Sequence, residues 1–175
     1  CLMTAQIANG GYKIKPKIIV NDDPLTLEDA KNLMELQSLQ KPNTRLFNDS
    51  KNIKIVQEAM FSSTNEQFGT SYRSRIDNPK YQFAGKTGTS QVKRISKRER
   101  ELDLKLEQIP YKDRDHALYV AYGPYKNPRY ALSIIVEHGG SGSKAAAPMA
   151  KELFKLIIDR DELRDKQSNF ENINI

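Results

Sequence analysis

Tyr81-Gln82-Phe83-Ala84-Gly85-Lys86-Thr87-Gly88-Thr89-Ser90 is the stretch that decides how this chain folds and what it can hold. Tyr81 and Phe83 alternate with other residues as the side chains of a strand do, and that strand runs straight into Lys86 to Thr89. Side chains on an extended backbone repeat every second residue, so Thr87 and Thr89 share a face where two hydroxyls can donate to one carboxylate. Lys86 brings a positive charge beside them, and Gly88 lets a second body come close to the other face. The combination suits an anionic group. Gly85-Lys86-Thr87 also ends like a phosphate-binding loop, but that motif requires a glycine five residues before Gly85, where this chain has Lys80. The phosphate-loop reading fails, and what stands against the anion site is the chance recurrence of a short polar strand end.

Working outward, 175 residues with 38% hydrophobic side chains are enough for one domain, or a piece of one, with a true core. The chain has no run of about 18 apolar residues that could span a membrane, and no basic start followed by an apolar run that would mark a signal peptide. Its single cysteine, Cys1, cannot form an internal disulfide and reads as an ordinary small apolar residue. A net charge of +6 and a pI near 9.3 permit an acidic or nucleic-acid partner without demanding one. Much of the basic charge lies in Lys93 to Arg100, with Glu99, Glu101 and Asp103 close by, the pattern of a solvated face.

Taken in order, the chain opens on the last turns of a helix that Asn9-Gly10-Gly11 stops, a start in mid-element that suggests a fragment. Tyr12 to Val20 alternates as an exposed strand, confined to an edge by Pro16. Thr26 to Leu39 is expected to be an amphipathic helix with Leu33, Leu36 and Leu39 inward, closed by Pro42. Asp49-Ser50-Lys51 starts another, with Ile53, Val56, Met60 and Phe61 as its apolar stripe, and Gly69 to Lys80 reads as loop. Ile95, Leu102, Leu106 and Ile109 make a narrow helical seam. His116 to Tyr122 and Tyr130 to Val136 read as a hairpin whose first strand, apolar on both faces, is central. Past Gly139-Gly140-Ser141-Gly142, Pro148 begins a helix with Met149, Leu153, Leu156 and Ile157 on one face, and the small residues Ala145 to Ala147 let it lie near the sheet. From Asp159 on, the charged tail (158–175) is expected to fray.

Four blocks in order carry a wider likeness: Ala84-Gly85-Lys86-Thr87-Gly88-Thr89, then Asp115 to Pro124, then Val136-Glu137-His138-Gly139-Gly140-Ser141-Gly142, then Ala145-Ala146-Ala147-Pro148. Together they resemble the C-terminal part of class B penicillin-binding proteins, nearest to the branch that serves cell elongation. The resemblance implies an α+β fold of the penicillin-binding/β-lactamase-like transpeptidase type, an antiparallel sheet flanked by helices, with residues 1–175 as the C-terminal portion of that domain. It implies a peptidoglycan D,D-transpeptidase that cross-links stem peptides through a serine acyl-enzyme and is acylated by β-lactams. Carried over, Lys86 supplies positive potential and joins proton relay, Thr87 and Thr89 hold the donor's carboxylate, the Thr89 N–H is an oxyanion donor, and Gly88 keeps the wall flat. No metal or organic cofactor is implied. The implied partners are stem peptides, β-lactams and membrane proteins of the elongation complex, not nucleic acid. The implied location is the bacterial inner membrane, with the catalytic domain in the periplasm.

Acyl transfer also needs a nucleophile and an activating base. Ser-x-x-Lys occurs at Ser38 to Lys41, Ser90 to Lys93 and Ser141 to Lys144, against about one expected by chance at this composition. In the family the nucleophile opens a helix and comes far before Lys-Thr-Gly. Ser38 sits at a helix end, Ser90 directly follows the strand, and Ser141 lies in a glycine loop after it, so all three read as decoys. Ser63-Thr64-Asn65 matches Ser-x-Asn but stands too near Lys86. The two upstream catalytic elements are therefore expected outside this chain. His116 and His138 read as structural histidines. The rival reading is a non-enzymatic basic module that binds an acidic partner or nucleic acid through Lys93 to Arg100. The resemblance also leaves the Tyr130 to Val136 strand without a neighbour on one side, an edge through which the chain is expected to self-associate.

Overall fold

Residues 1–16, 44–47, 49–94 and 104–173 are described by a computed structural model. Strand β1 (Ala84–Ser90) pairs with β2 (His116–Gly123), and β2 with β3 (Tyr130–Val136), in one antiparallel sheet of order β1-β2-β3. The hairpin and the central place of its first strand are as expected, because β2 is apolar on both sides of its pleat. The register sets Lys86 opposite Val120, Thr87 opposite Tyr119, Thr89 opposite Ala117, and Tyr119 opposite Ile134. β1 starts at Ala84 rather than at Tyr81. Gln82 O still accepts from Tyr125 N at 2.7 Å, but Pro124, the residue that would face Gln82, has no N–H to continue the ladder.

One face of the sheet is closed by α3 (Ala147–Ile173), which follows a single wide turn, Gly142–Ala146. Ala147, Ala150, Phe154 and Ile158, spaced by three and four, bury themselves against Ala117, Tyr119, Ala121 and Phe83. Phe83 and Phe154 stack with ring centroids 4.9 Å apart. The alanines let the helix approach closely, as expected, yet the inward stripe is not Met149, Leu153 and Leu156. Those three are exposed, because the short side chains at Ala147 and Ala150 admit the helix on their own side. Nor does regular structure give out at Asp159, since the helix continues to Ile173. Asp159 and Glu162 bind Lys80 at 3.1 and 2.9 Å, and buried Asp161 pairs with Arg129 at 2.6 Å. The charges that read as a solvated tail thus pin the helix to the loop before β1 and to the β2–β3 turn.

The other face carries α1 (Leu2–Ala8) and α2 (Ser50–Asn65), whose Ile7, Ala8, Met60 and Phe61 gather around Ala84 and Tyr122. α1 ends where Asn9-Gly10-Gly11 predicts, with both glycines at positive φ. α2 begins as read, Asp49 Oδ1 accepting from Lys51 N at 2.8 Å. Its stripe differs at one place: Val56 is exposed, and Ile53, Met60 and Thr64 are the buried positions. Of the strand expected over Tyr12 to Val20 only residues 12–16 are described, and they make one antiparallel bridge, Tyr12 with Arg45, flanked by Lys13 N to Thr44 O at 3.0 Å; residues 17–20 lie outside the described residues. The loop before β1 is ordered by a short turn, Tyr72–Ser74, with Ser71, Ser74 and Ile76 buried. Leu106 and Ile109 do not continue a helix; two isolated turns, Leu106–Gln108 and Tyr111–Asp113, occupy that region, separated by Pro110. The expected helix over Thr26 to Leu39, the pair Ser38 and Lys41, and Ile95, Leu102 and most of Lys93 to Arg100 lie outside the described residues.

Candidate active site

β1 is an outer strand among the described residues, and the end of α2 lies along its free edge. Asn65 Nδ2 donates to Phe61 O at 3.0 Å within its own helix and to Phe83 O at 2.9 Å on β1's approach. Phe83 therefore turns its carbonyl away from β2, whereas Gln82 turns its own toward Tyr125. Alternation along an antiparallel strand then directs the N–H and C=O groups of Gly85, Thr87 and Thr89 outward, unpaired in the sheet. Lys86 leaves the opposite face of the pleat, is exposed, and donates from Nζ to Thr87 O at 2.8 Å. The strand presents a cation, two outward amides and two hydroxyls within four residues.

The hydroxyls differ. Thr89 is exposed and its Oγ1 has no protein partner among the described residues. Thr87 is half-buried, and its Oγ1 lies 3.2 Å from Thr70 Oγ1, which lies 3.2 Å from Ser63 Oγ. Sequence reasoning missed Thr70 and found in Ser63 only a false motif. The available signal was Gly69: a Cβ there would fall 2.5 Å from Ser62 O and closer still to Ser63 O. Only glycine lets the chain fold back onto the end of α2 and deliver Thr70 to β1.

The rest of Ser63-Thr64-Asn65 is structural. Thr64 Oγ1 and Ser71 Oγ lie 2.9 and 3.1 Å from Tyr119 OH in a fully buried cluster, and burial pushes the Tyr119 phenol above its ordinary value. Asn65 is spent on Phe61 and Phe83. Of the Ser-x-x-Lys pairs, Ser90 ends β1 and Lys93 is bound to Asp113 at 3.2 Å. Ser141 departs from its reading as mere loop, for its carbonyl accepts from Lys144 N and Ala145 N and so opens the Gly142–Ala146 turn. Its hydroxyl, however, meets Ser143 Oγ at 3.1 Å, and Lys144 points to solvent. That turn is what comes close to Gly88: a Cβ on Gly142 would fall 2.7 Å from Gly88 O.

The histidines are satisfied by the backbone. His138 N donates to His116 Nδ1 at 2.9 Å, and His138 Nδ1 lies 3.0 Å from Arg114 O. No group of metal-ligating side chains occurs among the described residues, and no described helix is long and apolar enough to cross a membrane. A hollow of about 190 Å³ among Lys80, Arg129, Tyr130, Asp161 and Glu162 lies at the α3 anchor, away from Lys86.

An antiparallel sheet held between helices is the fold this chain shares with the penicillin-binding transpeptidases. The chain belongs to that family: the model of the penicillin binding protein transpeptidase domain matches residues 2–155. Within it, the chain is similar to the peptidoglycan D,D-transpeptidase MrdA of Salmonella typhimurium, 32% identical over 153 residues that cover 87% of this chain and 23% of the relative. Among solved structures it is similar to Pseudomonas aeruginosa PBP2 in complex with WCK 5153, at 28% identity and a TM-score of 0.60, covering 88% of this chain and 28% of that one. It is also similar to PBP2 of Helicobacter pylori in a complex with MreC, at 28% identity and a TM-score of 0.59, covering 87% and 23%. The chain thus spans about a quarter of the length of the curated relative it matches.

Proposed function

We propose that this chain forms the Lys-Thr-Gly wall of a peptidoglycan D,D-transpeptidase whose nucleophilic serine lies outside these 175 residues. The observation that carries the reading is the outward edge of β1, where Lys86 stands beside the N–H groups and hydroxyls of Thr87 and Thr89. In the reaction the serine hydroxyl attacks the carbonyl between the two terminal D-alanines, the last D-alanine leaves with a proton, and an amine of a neighbouring stem displaces the serine ester. Thr87 and Thr89 hold the departing residue's carboxylate. The Thr89 N–H donates to the oxyanion, and fixed donors of this kind stabilise charge as it develops. Lys86 raises the local positive potential and lowers the cost of moving the serine proton. Gly142, with no side chain of its own, supports the backbone of Gly88 closely, and Gly88 keeps the wall flat.

The relatives support the family's activity, and the same reading extends to β-lactams as acylating agents, to a periplasmic site anchored at the inner membrane, and to elongation-complex proteins as partners. Intact-mass spectrometry after incubation with benzylpenicillin tests it. The full-length protein is expected to gain one penicilloyl group on a serine outside this stretch, and the 175-residue chain alone none. A stable adduct on Ser38, Ser90 or Ser141 would contradict the assignment.

A further inference from the structure

We infer that Ser63 and Thr70 are positioning residues that aim the Thr87 hydroxyl at a ligand carboxylate, an inference that rests on the function proposed above. Ser63 Oγ, Thr70 Oγ1 and Thr87 Oγ1 form a chain with two links of 3.2 Å, running from the last turn of α2 to the centre of β1. Neither end has another protein partner for its hydroxyl among the described residues. A hydroxyl carries one proton and two lone pairs, so Thr70 can accept along both links but donate along only one, and what matters is whether Thr87 donates to Thr70 or Thr70 donates to Thr87. In the first arrangement, Thr87 gives its proton to Thr70 and turns lone pairs outward, where a carboxylate, which only accepts, finds no donor. In the second, Ser63 donates to Thr70, Thr70 donates to Thr87, and the Thr87 proton is left for the ligand. A carboxylate at β1 selects the second arrangement, and hydrogen bonds aligned head to tail polarise one another.

The chain is held at both ends by groups that do not depend on the ligand. Ser71 N and Ser71 Oγ each reach Ser63 O at 3.0 Å, and Asn65 ties the same turn of α2 to Phe83 O at 2.9 Å. The spacing between Ser63 and Thr87 is therefore set by backbone contacts rather than by their own side chains. Thr70 is exposed, so its hydroxyl can be removed without opening the core. Neither Ser63 nor Thr70 touches the reacting atoms; both act through Thr87, and the chemistry they favour is recognition of a free carboxylate rather than acylation as such.

Acylation rate constants of the full-length enzyme with benzylpenicillin and with its methyl ester, which lacks the anionic carboxylate, separate the two. Thr70→Val, which keeps the shape and removes the hydroxyl, is expected to slow benzylpenicillin by roughly tenfold and the ester by less than about twofold. Thr70→Ser restores the hydroxyl and is expected to react like the parent. Ser63→Ala, one link further away, is expected to lose roughly threefold with benzylpenicillin alone, and it decides the matter should Thr70→Val fold poorly. Equal losses with both compounds, or no loss with either variant, would overturn the inference. A parent enzyme that takes up neither compound would refute the proposed function itself.

Discussion

On the face of the sheet toward α3, Ala117, Tyr119 and Ala121 are fully buried under Ala147, Ala150 and Phe154; on the opposite face Leu118 and Val120 are only half-buried, Ile135 is 64% exposed and Lys86 reaches solvent. One strand, β2, serves both. Its apolar run gives no hint of this difference, because alternation reports only that both sides are apolar. The α3 face is closed along the length of β2, whereas the other is closed by α1 and α2 only around Ala84 and Tyr122 and leaves Lys86 free of any packing duty. Substitutions should accordingly divide by place, with large stability losses under α3 and functional losses along β1, where Thr87 and Thr89 lie opposite Tyr119 and Ala117 and Lys86 leaves the other face.

The largest stability effect is expected at the stacked pair of the closed face. Phe154→Ala should cost about 3–5 kcal/mol in urea unfolding, whereas Leu156→Ala, two residues on and exposed, should stay within about 0.5 kcal/mol. Similar costs at the two positions would mean that the stripe read from Met149, Leu153 and Leu156 is buried after all. Next comes β3, the other outer strand. Its alternate backbone groups face outward, one of them, Ala131 O, taken by Cys1 Sγ at 3.3 Å, and Ile135 adds exposed apolar surface. Light scattering of the 175-residue chain is expected to show dimers or larger species, and Ile135→Lys to return it toward monomer. Two well-behaved monomers would show that this edge is covered.

The smallest effect is the acid sensitivity of the α3 anchor. A hydrogen bond from Tyr81 and the Lys80 ammonium hold the Asp159 carboxyl below its ordinary 3.8, and Tyr130 with Arg129 and Arg164 do the same for Asp161. A carboxyl depressed in the folded state contributes stability that is whole above its unfolded pKa and is lost as pH falls through the folded one. The urea midpoint should hold down to about pH 4 and then decline, with a shallower decline in Asp161→Asn. Parallel declines for the two proteins would remove Asp161 from the anchor.

Much of this architecture was legible because local chemistry and packing agree. Asp49 caps α2, Asn9-Gly10-Gly11 ends α1, and the hairpin of β2 and β3 follows its apolar runs. The inward face of α3 was not, since alanine carries little weight in an apolar pattern but decides how close a helix can come. The anchor of α3 was hidden because Asp159, Asp161 and Glu162 find Lys80 and Arg129 across some 30 to 80 residues of sequence. At the candidate site, Lys86 to Thr89 announced itself as a run of unusual neighbours. Thr70 did not, because a threonine in a polar loop has no signature until Gly69 folds it onto β1.

The central claim is that Lys86 serves the reaction rather than merely adding to a basic surface. Its most direct test compares the acylation rates of full-length Lys86→Ala and Lys93→Ala by benzylpenicillin. Removing one preorganised electrostatic group from such a site costs on the order of 3 kcal/mol, so Lys86→Ala should be slower by about a hundredfold. Lys93, bound to Asp113 at 3.2 Å past the end of β1, should change the rate by less than about twofold when replaced. Small and equal effects in the two variants would contradict the account.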